Sequence, residues 1–287
     1  MKIVLAIDGS SHSTDAVHGL AHFAPPDELT LVHALTLPDL DHPMIPPELR
    51  DQVIQEIEGS LRLKGEKILK RARSEVPADF QSVQQVHQIG SPAQVILETA
   101  QSGQSDLIIL GARGLGPVKE LVLGSVSHRV VLHAPCSVLV MKSGVSKIRR
   151  ILLPAEGEKD AEVALKFLAR HPFRGPVQIE VMTVWPQPQV PWPITLGQSN
   201  LLEEGALDHA QKRLDLITKQ LEALSYQHAT SVGLGNPAYA ILEQAQATNP
   251  DLIVVGSHGR KGLSRFLIGS ISHAVLHRAP CPVLIVR

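Results

Sequence analysis

Short apolar runs alternate along the chain with segments whose apolar residues recur at helical spacing. "KIVLAI" (2–7), "ELTLVHAL" (28–35), "DLIIL" (106–110) and "SVLVMK" (137–142) are brief and apolar on both faces. Strands in the interior of a parallel sheet read this way, because helices cover both sides. "FQSVQQVH" (80–87) alternates apolar and polar positions, as a half-buried strand does. Between these runs lie helical patterns: "STDAVHGLAHFA", a long stretch over Pro47–Ser74, "SPAQVILETAQ" with a Ser-Pro start, and "SVSHRVVLH". A Pro-rich loop, "PDLDHPMIPP", precedes the long helix. The order is β-α-β-α-β-α-β-α-β, which predicts an α/β fold of the doubly wound kind.

The same order then repeats, with "WPQPQVPWPITLG" as the second long loop. "IGSPAQVILETAQSGQSDLIILGARG" (from Ile89) aligns without a gap on "LGNPAYAILEQAQATNPDLIVVGSHG" (from Leu234), at an offset of 145 residues. Over 86–142 against 231–287, 23 of 57 positions are identical, which makes the chain a duplication. The beginnings match more loosely, "KIVLAIDGS" over "RILLPAEGE", at an offset of 148. A period this long means tandem domains, not a solenoid. We expect domains at 1–143 and 148–287, joined near Ser143–Lys147. Each would be a five-stranded parallel sheet of order 3-2-1-4-5 with helices on both faces.

Composition narrows the function classes. The chain has 27 basic and 28 acidic side chains, so no strong field draws it to nucleic acid or to a membrane surface. Aromatics make up only 3%, which leaves no stacking platform for single strands. No apolar run is long enough to span a bilayer. The start, "MKIVLAIDGSSHSTD", meets an Asp at once and reads as a first strand, not a signal peptide. The two cysteines, Cys136 and Cys281, show no metal-ligand spacing and are expected as free, small buried side chains in a cytoplasmic protein.

Both halves carry one further pattern: Gly, two residues, Gly, nine residues, Gly-Ser. It comprises Gly111, Gly114, Gly124 and Ser125 in one copy, and Gly256, Gly259, Gly269 and Ser270 in the other. Each loop follows the fourth strand and ends at a helix. In open α/β sheets, ligands sit beyond the carboxyl ends of the strands where the winding reverses. If the strand order is 3-2-1-4-5, that point lies between strands one and four. Strand one ends at Asp8 in the first copy and Glu156 in the second. Glycines let the backbone approach an anion or adopt positive φ. A Gly-Ser pair at a helix start presents free amides, a ready phosphate site. Ser127 and Ser272 add hydroxyls two residues on. The Walker phosphate loop and the dinucleotide G-x-G-x-x-G are both absent.

These two motifs, "AIDGS", and the closing "HAPCSVLV" and "RAPCPVLIV" resemble the universal stress protein family over nearly the whole chain. The resemblance implies ATP (or AMP or ADP) at the loop, in a stress-response regulatory or signalling module. It also implies dimerisation through the last strand, here an intramolecular pseudo-dimer or a homodimer. By the same resemblance, adenine and ribose contact Ala6, Ile7 and Asp8, with Ala34 packing the base. Phosphates contact Gly111, Arg113, Gly114, Gly124, Ser125, Val126 and Ser127. The matching positions of the second half are Pro154, Ala155, Glu156, Val184, Gly256, His258, Gly259, Gly269, Ser270, Ile271 and Ser272. Mg²⁺ or Mn²⁺ is expected only with the nucleotide, held by its phosphates.

Two departures stand out. Glu156 replaces the family's Asp, and its extra methylene moves the carboxylate outward. The first spacer, "LGPVKELVL", holds Glu120 and one lysine, whereas the second holds Arg260, Lys261 and Arg265. The first half therefore reads as better suited to the nucleoside and the second to phosphate charge. His128 and His273 recur at matched helix positions and read as packing residues. Two other functions stay open at this point: a slow ATP hydrolase, and a nucleotide-free dimerisation module. No paired carboxylates or nucleophile-base pair near the loops points to catalysis.

Overall fold

The computed structural model describes residues 1–40, 46–114, 123–142, 147–186, 199–257 and 268–287. The chain divides into two compact units, Met1–Gly144 and Val145–Arg287.

The first unit runs β1 (Lys2–Ala6), α1 (Ser11–Gly19), β2 (Glu28–Leu35), α2 (Pro47–Glu75), β3 (Val83–Ile89), α3 (Pro92–Ser102), β4 (Leu107–Gly111), α4 (Ser125–His133) and β5 (Ser137–Met141). A short 3-10 turn at Leu20–His22 extends α1. The sheet order is β3-β2-β1-β4-β5, and every pairing within it is parallel. The winding thus reverses between β1 and β4, as expected for the order 3-2-1-4-5. Leu5, Leu107, Ile108 and Ile109 are fully buried between the helical layers. Burying each such side chain contributes roughly 1.5–3 kcal/mol, which is why these runs tolerate no polar residue.

Local chemistry explains the boundaries. Ser10 caps α1, its hydroxyl accepting the Ser13 amide at 3.2 Å, so the helix starts two residues earlier than its apolar pattern. Pro47 opens α2, where a missing N–H costs nothing. That helix buries Leu69 and Ala72 and ends at Val76, which is held extended ahead of Pro77. Phe80 donates its amide to Pro77 in a turn, so β3 begins three residues after the expected start. Ser91 stands at the N-cap of α3 but makes no side-chain capping bond; Pro92 alone sets that start.

The second unit repeats the plan: β6 (Arg150–Pro154), α5 (Glu158–Leu168), β7 (Gln178–Trp185), α6 (Ser199–Ala223), β8 (Gln227–Leu234), α7 (Pro237–Thr248), β9 (Leu252–Gly256), α8 (Ser270–Arg278) and β10 (Val283–Val286). Its order is β8-β7-β6-β9-β10, again all parallel. Asn236 caps α7 by accepting the Tyr239 amide at 3.2 Å, and Asn249 ends it in the left-handed region at φ 46°. Cys136 and Cys281 are both buried and form no disulfide. Among the described residues no helix is long and apolar enough to cross a membrane.

Candidate functional site

In the first unit the chain leaves β1 through Ile7 and Asp8. Ile7 continues the sheet, its amide donating to Val32 O at 2.9 Å. Its carbonyl accepts from His33 Nδ1 at 2.7 Å. A carbonyl only accepts, so Nδ1 of this buried histidine carries the proton. Gly9, at φ 81°, then turns the chain; a side chain here would be strained. Asp8 Oδ1 accepts the Ser10 amide at 2.9 Å. Ser10 Oγ in turn donates to Arg113 O at 3.4 Å, which ties the start of α1 to the loop after β4.

That loop is closed at its base. Ala112 donates its amide to Met141 O at 2.7 Å, and Gly124 donates to Ala112 O at 2.7 Å, so the chain returns to the residue from which it left. Ser127 Oγ donates to Gly111 O at 2.8 Å and is buried. Gly111 lies so close to α1 that a Cβ would stand 2.6 Å from the His12 carbonyl carbon. A Cβ on Gly114 would collide with Asp8 Oδ2. The glycine loop and the β1 carboxylate therefore meet where the winding reverses.

Gly124 is the N-cap of α4 at φ −70° with no side-chain capping bond. A Cβ there would lie 3.5 Å from Arg113 Cα and 3.7 Å from Gly114 N. The first-turn amides, beginning at Ser125 and Val126 and without partners among the described residues, thus abut the Asp8 side of the loop. The helix start supplies both free donors and the positive end of the dipole.

The second unit builds the same staples. Ser257 donates to Val286 O at 3.0 Å, and Gly269 donates to Ser257 O at 2.9 Å. Ser272 Oγ donates to Gly256 O at 2.6 Å. Gly269 caps α8 at φ −61° without a side-chain bond, and Ser270 and Ile271 form the exposed first turn. Pro154 pairs with Met182, and Ala155 donates to Met182 O at 2.8 Å. Glu156 is half-buried at the strand end. His258 and Gly259, with Arg260, Lys261 and Arg265, lie outside the described residues.

Two readings are corrected by this geometry. Gly111, Gly114, Gly124, Gly256 and Gly269 do not use positive φ; close approach is what excludes a side chain from Gly111 and Gly114. The hydroxyl protons of Ser127 and Ser272 are given to the strand-end carbonyls of Gly111 and Gly256, which leaves the backbone amides as the free donors among the described residues. Ala34, opposite Gln88 on β3, and Val184, opposite Gly233 on β8, are half-buried on neighbouring strands. Residue patterns alone missed Ser10, His12 and His33. The "D-G-S" turn with serine three residues before Ser13 was the available signal for Ser10; His12 contributes only backbone, and His33 only a strand register.

A duplicated, doubly wound α/β protein with a glycine loop at each reversal of winding is the class that the fold and these crevices define. The model of the universal stress protein family matches residues 1–142 and 147–287. A universal stress protein of Mycobacterium tuberculosis is 29% identical over 99% of this chain and 96% of its own. The Bacillus subtilis universal stress protein YxiE is 32% identical over 49% of this chain and 98% of its own, the length of one repeat. The crystal structure of a universal stress protein from Archaeoglobus fulgidus covers all of this chain and 96% of its own at a TM-score of 0.65 and 19% identity. The chain belongs to the universal stress protein family, as a tandem of two of its domains.

Proposed function

We propose that the chain binds adenine nucleotide at the carboxyl ends of β1 and β4, and at the matching place of the second unit, and acts as a regulatory module of the stress response. The observation that carries this reading is the close approach of Asp8 Oδ2 to Gly114, which itself lies beside Gly124, the N-cap of α4. A carboxylate there accepts from ribose hydroxyls or the adenine amino group. Backbone amides a few ångströms away donate to phosphate. Ile7 and Ala34 border the nucleoside side, and Arg113 the phosphate side. In the second unit Ala155, Glu156 and Val184 correspond on the nucleoside side, and Gly256, Gly269, Ser270 and Ile271 on the phosphate side.

A divalent cation, Mg²⁺ or Mn²⁺, enters with the phosphates, which supply most of its oxygen ligands. The pairing of the two repeats through their last strands belongs to the same reading. It rests on "SVLVMK" and "PVLIVR", apolar edges that isolated domains would leave open.

The test is mass spectrometry of the gently purified protein, followed by calorimetric titration of the emptied protein with ATP. Co-purified ATP, ADP or AMP, and a titration weakened in one site by Asp8→Ala, are the expected results. An emptied protein that takes up no adenine nucleotide would overturn the proposal.

A further inference from the structure

The long helices α2 and α6 occupy equivalent places, α2 against β2 and β3 and α6 against β7 and β8, and three of their buried positions correspond. Leu69, Ala72 and Val76 of the first unit and Leu214, Ile217 and Leu221 of the second are all buried, at the 145-residue offset of the repeat. At that offset Ile68 corresponds to Arg213. Both side chains pack on the glycine that follows the strand-end carboxylate. A Cβ on Gly9 would stand 3.0 Å from Ile68 Cδ1. A Cβ on Gly157 would stand 2.6 Å from Arg213 Nη2 and 3.0 Å from its Nε. One crevice is thus flanked by a methyl group and the other by a guanidinium.

Arg213 is half-buried, and it pairs with no carboxylate among the described residues. The adjoining Glu158 is engaged elsewhere, accepting from Gln220 Nε2 at 3.0 Å. A guanidinium has five donors and no acceptor, so it gains nothing specific from a free ribose hydroxyl that a carboxylate would not serve better. It gains most from a planar or tetrahedral oxyanion, which it can grip with two parallel bonds. In nucleotide folds, an arginine beside the strand-end acidic residue is what turns recognition of a ribose hydroxyl into recognition of a ribose phosphate.

We propose that Arg213 makes the second unit selective for adenosine nucleotides that carry an additional phosphoryl group on the ribose, while the first unit, with Ile68 in that place, takes the unmodified ribose. This rests on the nucleotide-binding reading above and names the ligand class of one of its two sites.

The experiment compares 5′-AMP, adenosine 2′,5′-bisphosphate and adenosine 3′,5′-bisphosphate by calorimetry on the full chain. Wild type, Arg213→Ile and Ile68→Arg are titrated with each. Arg213→Ile installs the side chain that the first unit already accommodates, so the fold should tolerate it; circular dichroism checks this. In wild type, one site should prefer a bisphosphate over 5′-AMP by on the order of tenfold or more, the range of a charge-assisted contact. Arg213→Ile should remove the preference and leave 5′-AMP binding in place, and Ile68→Arg should create a second selective site. Whichever isomer is preferred identifies the ribose position. Equal affinities for 5′-AMP and both bisphosphates in wild type overturn the selectivity alone, as does a preference that survives Arg213→Ile. Failure of all three ligands to bind overturns the nucleotide reading and the selectivity with it.

Discussion

Asp8 Oδ2 occupies the space that a Cβ on Gly114 would need. The two residues lie at opposite ends of the first unit's sequence, yet one cannot change without disturbing the other. Gly114→Ala should therefore displace the carboxylate and weaken ATP at the first site by about tenfold or more, a loss of ~1.4 kcal/mol or greater. The residue is exposed and not at positive φ, so the melting temperature should hardly move. A variant that binds ATP as wild type does would show that the carboxylate takes no part in binding.

The two strand-end carboxylates should not be equivalent. Asp8→Ala should cost the first site on the order of 1.5–3 kcal/mol, the worth of a hydrogen bond to a charged group. Glu156→Ala should cost the second site less, because its longer side chain carries the oxygens past the ribose. The second site should instead depend more steeply on salt, through Arg260, Lys261 and Arg265. Calorimetric ATP titrations of both variants at low and high salt test this. Equal losses would mean that the second unit uses its glutamate as the first uses its aspartate.

Two glycines of α2 should respond in opposite directions. A Cβ on Gly59 would meet nothing within 4 Å, so Gly59→Ala should stabilise the protein by about 0.5–1 kcal/mol through helix propensity. A Cβ on Gly65 would collide with His87 Nε2 and stand 2.7 Å from His33 Cδ2. Gly65→Ala should therefore cost roughly 1–3 kcal/mol as overpacking. Urea denaturation midpoints separate the two; a shift of the same sign in both would refute the packing assignment.

His87 should make the first unit acid-sensitive. Its Nε2 is buried without a hydrogen-bond partner, and its ring centroid lies 5.4 Å from that of His33. Burial first, then the charges of His33 and Arg62, hold it below its ordinary 6.5, with Glu66 acting in the opposite sense. The folded state is therefore the reluctant proton acceptor. As pH falls through 6.5 the unfolded chain takes up a proton that the folded chain refuses, so stability is present above that value and declines below it. His87→Gln should flatten this part of the stability curve between pH 7 and 5 (about the span over which an ordinary histidine titrates). An unchanged slope would assign the acid sensitivity to other groups.

The succession of strands and helices, the duplication and the two glycine loops were all legible in the sequence, because each is carried by a local signal. Apolar runs of strand length, helical periodicity and a fixed glycine spacing survive in one dimension. The meeting of Asp8 with the loop after β4 followed from the sequence only once the order 3-2-1-4-5 was supposed, an order that the sheet itself supplies. The reason for the glycines was not legible: spacing cannot distinguish a residue that needs positive φ from one that needs room. Only the packed chain puts the His12 backbone against Gly111 and the Asp8 carboxylate against Gly114. The serines are similar. Ser127 and Ser272 look like phosphate donors on a helix start, but their hydroxyls turn inward to the carbonyls of Gly111 and Gly256 once the strand ends are in place. Arg213 is the sharpest case. The repeat offset aligns it with Ile68, which makes it a substitution on a helix like many others. Its place appears only when folding sets Arg213 beside Gly157, because a side chain's consequence depends on what the sheet brings to face it, and parallel sheets join segments that are distant along the chain.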